Sequence, residues 1–113
     1  MKQKFLYIRV RECHLFARLA AWKLRSAAGM AITIGNTIYL HNATVEDLLQ
    51  NRAWLQHELA HIMQFHEWGF WRFLYCYIRE SLLKGYRNNR FEIAARDMEK
   101  ENFQTIGYCY IIT

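Results

Sequence analysis

A chain of 113 residues, 53% hydrophobic and 22% charged, can bury one core but not two, so residues 1–113 read as a single domain. Its net charge of +5 is spread along the sequence with no basic stripe interleaved with stacking aromatics, which favours a solvated basic surface over a nucleic-acid face. No apolar run approaches a membrane span; the nearest, Trp68 to Ile78, is short and carries Arg72.

The N-terminus has the basic start of a signal peptide, but Arg9 and Arg11 break its apolar run before an h-region forms. It therefore reads as mature and cytoplasmic. Cys13, Cys76 and Cys109 are odd in number and widely spaced, which points to free thiols rather than a disulfide framework or a Cys-x-x-Cys metal pair. Leu15, Leu19 and Trp22 recur at helical spacing, predicting a helix over Glu12 to Ala28 that Gly29 ends. From Met30 to His41 the pattern turns β-branched and alternating around Gly35-Asn36, the signature of a hairpin.

Thr44 and Asp47 have the form of a capping box and open an apolar-periodic segment to about His66, closed by Gly69. A third helix, dense in aromatics, is expected from Phe70 to Lys84 and ends at Gly85. Asn88 or Asn89 then caps a fourth that runs to about Glu101. The tail from Phe103 to Thr113 is apolar without a helical period and suits a strand or an irregular covering segment. The expected fold class is α+β, about four helices with a small β-hairpin or sheet.

Within the second helix stands His57-Glu58-Leu59-Ala60-His61. At about 100° per residue, His61 falls about 40° and Glu58 about 100° from His57. Two imidazoles can then face one ion, with a carboxylate beside them on another radius. Zinc hydrolases need that set: neutral histidine nitrogens as ligands and an unliganded base near the open position. Leu48, Leu55, Leu59 and Ile62 cluster near 140° to 200° and leave the helix its own apolar stripe. A core helix with two hydrogen-bonded histidines is the plainer alternative, but the His-Glu-x-x-His pattern favours one Zn²⁺ ion.

A catalytic zinc needs a third protein ligand. His66 and Glu67 lie about 180° and 280° from His57 and cannot turn to the same ion. His14 and His41 escape the angular test but sit in no recognisable ligand context. Glu92, near the start of the fourth helix, is the better candidate, and the small pair Ala94 and Ala95 would let that helix approach closely. Its competing role is a capping-box glutamate answering Asn89.

His-Glu-Leu-Ala-His followed by a helix carrying Glu-x-x-Ala resembles the gluzincin group of zinc metallopeptidases, most of all the small stand-alone bacterial minigluzincins. The likeness covers roughly Met30 to Glu101. It implies a zincin-like fold in which His57, His61 and Glu92 hold the metal and Glu58 is the general base. It also implies that the strand before the metal helix, Thr37 to His41, pairs with an extended peptide. Many gluzincins carry an acid four residues after the ligand glutamate to orient a histidine; here that position is Arg96, and the acid follows as Asp97.

The expected activity is that of a zinc metalloendopeptidase acting on a peptide or protein substrate, with no nucleic-acid partner and no membrane span. The alternative is a catalytically silent or latent zinc-binding domain acting as an interaction module. Tyr86 is a candidate donor to the developing oxyanion, although core packing would equally explain it. The tail 103–113, with Cys109, could cover core side chains or cross the cleft beside Thr37 to His41 as an autoinhibitory strand.

Overall fold

The arginines that interrupt the N-terminal apolar run are half of a strand pattern. In the computed structural model, which describes residues 6–12, 30–100 and 109–112, strand β1 spans Leu6–Glu12, with Ile8 and Val10 buried and Arg9 and Arg11 exposed. Alternation at period two is what a strand with one packed face requires. Glu12 therefore ends a strand instead of opening a helix. The remainder of the helix expected to Ala28 lies outside the described residues.

The hairpin forms as its sequence dictates. β2 (Met30–Ile34) and β3 (Thr37–His41) pair antiparallel, with Ile34 opposite Thr37 across the Gly35-Asn36 loop. Gly35 has φ +64° and Asn36 does not share that sign, the pattern of a type II′ turn that selects glycine at its first central position. A Cβ on Gly35 would also stand 3.4 Å from the Phe70 ring.

β3 and β4 (Cys109–Ile112) each pair parallel with β1, so the sheet order is β2-β3-β1-β4. This order corrects two expectations. Thr37–His41 is an interior strand with both backbone edges paired and cannot add a peptide; the edge on that side is β2. The part of the tail within the described residues is a strand at the opposite edge, with β1 and β3 between it and β2. It does not lie beside Thr37–His41 as an inhibitory strand would. Residues 103–108 and 113 lie outside the described residues.

The segment after the hairpin is two helices, not one. α1 (Val45–Gln50) opens on the expected capping box: Asp47 N–H donates to Thr44 Oγ1 at 3.1 Å, and Thr44 N–H to Asp47 Oδ2 at 2.9 Å. Asn51, extended at φ −98° and ψ 93°, then breaks the helix and caps the next by accepting from Trp54 N–H at 3.1 Å. Periodicity hides the break, because Leu48 and Leu55 both stay buried across it.

α2 (Arg52–Trp68) ends at Gly69, whose φ of +83° suits glycine, and α3 (Phe70–Lys84) ends at Gly85. α4 (Arg90–Glu99) is capped by Asn89, which accepts from Phe91 N–H at 2.8 Å. Asn89 is fully buried and its amide also donates to the Tyr77 carbonyl and to Ser81 Oγ, fastening α4 to α3.

The described architecture is α+β, four helices with a four-stranded sheet. Ile8, Val10, Ile38 and Leu40 from the sheet meet Leu55, Leu59 and Ile62 from α2 in one core cluster. Phe65, Phe73 and Phe91 join α2, α3 and α4 in a second. α2 thus packs apolar residues on the sheet while its histidine face turns to α4. No helix among the described residues is long and apolar enough to cross a membrane.

Candidate metal centre

α2 and α4 bring His57, His61 and Glu92 together in the buried space between them. One ligand atom from each lies within 4.8 Å of the others, which makes them the group that could hold a metal ion among the described residues. Glu92 is wholly inaccessible, and both histidines are buried. Ala95, also fully buried, lets the helix backbones approach; Ala94 is exposed and contributes nothing there.

His57 Nε2 stands 3.0 Å from Glu92 Oε1, and His61 Nε2 stands 3.2 Å from the same oxygen. The far ring nitrogens are engaged elsewhere: His57 Nδ1 with Glu99 Oε2 at 2.7 Å and His61 Nδ1 with Gln64 Oε1 at 2.9 Å. Both of those oxygens accept, so each Nδ1 carries the proton and each Nε2 can present a lone pair inward. Two lone pairs and a carboxylate then face one point. Such a set of acceptors is satisfied by a cation, whether an added proton or a metal ion.

The electrostatics agree. Burial works against a charged His57, but the Glu92 hydrogen bond, the charges of Glu58 and Glu92 and the bond to Glu99 outweigh it and raise its pKa above 6.5. Tyr77 donates to Glu92 Oε2, which also lies 3.2 Å from His61 Nε2, while Oε1 faces both histidines. Burial first, and then the Glu92 charge, push the Tyr77 phenol far above its ordinary range, so it stays a donor. The Tyr86 phenol is raised for the same two reasons in the same order.

Glu58 is buried but outside this ligand group, and Thr33 Oγ1 on β2 donates to its Oε1 at 2.8 Å. Glu92 is no capping glutamate, since the Asn89 N–H bonds the Tyr86 carbonyl instead. His66 and Glu67 are exposed and join no metal-holding group among the described residues. His41 ends β3 and joins no metal-holding group among the described residues; His14 lies outside them. Asp97 is exposed, and the acid on His57 is Glu99.

Four residues of the site escaped sequence reading. Glu99 and Gln64 had a local signal: Glu99 is two helical turns beyond Glu92, and Gln64 three residues beyond His61, on the same faces. Gln64 also donates to the Phe91 carbonyl at 3.1 Å, tying α2 to α4. Tyr77 and Thr33 arrive from distant elements and carry no such signal.

No curated protein and no solved structure matches the chain. A family model described as the eCIS core domain matches residues 2–69, a segment that contains His57, Glu58 and His61 and stops before Glu92. Because that match spans more than half of the 113 residues, the chain belongs to the eCIS core domain family.

Proposed function

We propose that the protein is a zinc-dependent peptidase of zincin-like fold, with His57, His61 and Glu92 as metal ligands and Glu58 as general base. The observation that carries this reading is the position of Glu58: buried beside the ligand group, outside it, and held by Thr33. A site that served only to bind metal would not need a second buried carboxylate there.

The donor set fits zinc. A tetrahedral ion with bonds of about 2.0–2.1 Å has ligand–ligand edges of about 3.3 Å. The two nitrogen–oxygen separations here are 3.0 and 3.2 Å. Two neutral imidazoles and one carboxylate, with a position left open, are also the ligand count of a hydrolytic rather than a structural zinc site.

When bound, zinc would polarise a scissile carbonyl and acidify a water at the open position. The chain's own groups would do the rest. Glu58 would take the water proton and deliver it to the leaving amine nitrogen. Glu99 and Gln64 would fix the histidine tautomers, and Tyr77 the Glu92 carboxylate. Tyr86, kept protonated and facing the same cleft as His57, would donate to the developing oxyanion. The edge strand β2, which carries Thr33, is the backbone on which an extended substrate would pair.

Metal analysis of the purified protein beside digestion of a peptide library, with Glu58→Gln as control, tests the proposal. One zinc per chain and cleavage confined to the wild type are expected. Zinc without cleavage would instead favour a silent zinc-binding module.

A further inference from the structure

His57 opens into a cleft of about 980 Å³ whose lining includes Lys84, Tyr86, Arg87, Arg96 and Glu99. Three of those side chains are cationic and one is anionic. The anion is already engaged, since Glu99 Oε2 is bonded to His57 Nδ1 at 2.7 Å. Lys84 is partly balanced by Glu80 at 3.4 Å, a contact exposed to water and weak. The two arginines dominate what is left.

Arg96 owes its place to helical geometry. Counted from Glu92 at about 100° per residue, it falls near 40° and Glu99 near 340°, while Asp97 falls near 140°. Glu92, Arg96 and Glu99 therefore share the face of α4 that looks onto the site, and Asp97 does not. The Arg96 guanidinium donates through Nη2 to the Arg87 carbonyl, which fixes it against the connection between α3 and α4 without neutralising its charge. A guanidinium so held keeps other N–H groups for a planar anion, and carboxylate is the anion that its fork fits best in a peptide. An excess of positive charge in a concave wall also concentrates anionic ligands there.

Resting on the peptidase reading above, we infer that the cleft selects peptides carrying a carboxylate, which Arg96 and Arg87 bind beside the metal centre. The carboxylate can belong to an acidic side chain or to a free C-terminus.

Fluorescence anisotropy on the full chain carrying Glu58→Gln, which prevents turnover, tests this with three dye-labelled peptides. One has central glutamates and an amidated end, one lacks acids but keeps its C-terminal carboxylate, and one is neutral and capped. At least about fivefold tighter binding of a carboxylate peptide over the neutral one is expected, lost in Arg96→Gln and Arg87→Gln and weakened by salt. Preference for the first peptide identifies side-chain recognition, and for the second, C-terminal recognition. Because Arg87→Gln retains the carbonyl that Arg96 uses, it reads the charge without disturbing that bond. Equal affinity for all three peptides, or a preference that survives both substitutions, overturns the inference even if the wild type cleaves peptides. Carboxylate-selective binding by a wild type that hydrolyses nothing would overturn the peptidase reading and leave this one standing.

Discussion

His57 Nδ1 meets Glu99 Oε2 at 2.7 Å, so the last turn of α4 holds the histidine whose other nitrogen meets Glu92 in the first. Outer carboxylates on metal-binding histidines are worth about 10- to 100-fold in metal affinity. Glu99→Ala is expected to weaken zinc binding by that factor, while Asp97→Ala leaves it unchanged. Competition with a chromophoric chelator reads both, and equal loss in the two variants would remove Glu99 from this role.

Glu58→Gln should retain zinc and fold while losing hydrolysis, because the side chain lies outside the ligand group. Thr33→Val should leave metal content intact and lower turnover, since only the Oγ1 bond to Glu58 is removed. Loss of zinc from either variant, measured by elemental analysis, would contradict the division of labour.

Glu92→Ala should depress zinc affinity and thermal stability together, since a ligand that binds only the folded state stabilises it by mass action. Removing Glu92 also strips Tyr77 of its buried acceptor, at about 1–3 kcal/mol. His66→Ala, an exposed position, should change neither quantity. Calorimetry with and without zinc separates the metal contribution from the buried-polar one.

Acid should compete with metal. The folded pKa of His57 is raised, so without metal its protonated form contributes stability that is full below about 6.5 and is lost as pH rises through the folded value. Zinc needs that nitrogen deprotonated, so uptake should release protons, and affinity should begin to fall at a pH above 6.5 on acidification. Isothermal titration in buffers of different ionisation enthalpy counts those protons; zero release across about pH 6 to 8 would defeat the prediction.

Asn51→Ala removes the cap of α2 and should cost about 1 kcal/mol of stability. Asn51→Asp, which keeps an acceptor at that position, should lose little. Equal losses, read from urea midpoints, would show that the break between α1 and α2 is held by something else.

What could be read in the sequence was local. Gly35-Asn36, the Thr44–Asp47 cap and the His57–His61 spacing are each decided within a few residues of chain. Arg9 and Arg11 break a leader and equally form the outward half of an alternation, so the first strand has two competing signals in the same residues. Asn51 gives no periodic sign of the break, because Leu48 and Leu55 keep one face across it. The sheet order is a long-range property, and with it went the choice of edge strand: nothing between residues 30 and 41 says which side of the hairpin β1 will occupy. Glu92 was found only because two histidines demanded a partner. Glu99 is legible on the same helical face, whereas Asp97 only stands nearer to the position that the gluzincin resemblance points to.

The contact between His57 and Glu92 joins residues 35 apart in sequence, with all of α3 in the interval. A metal shared by the two sides would make that interval a closed ring. Because the ion would bind only the folded chain, the ring would open on unfolding, and the stabilisation would follow ion concentration by mass action, unlike that of a disulfide. The described part of the chain has Cys76 as a free thiol. The ion would then act as a reversible staple between α2 and α4, which could not separate without first giving it up, whereas α3 supplies no ligand and could loosen inside the ring.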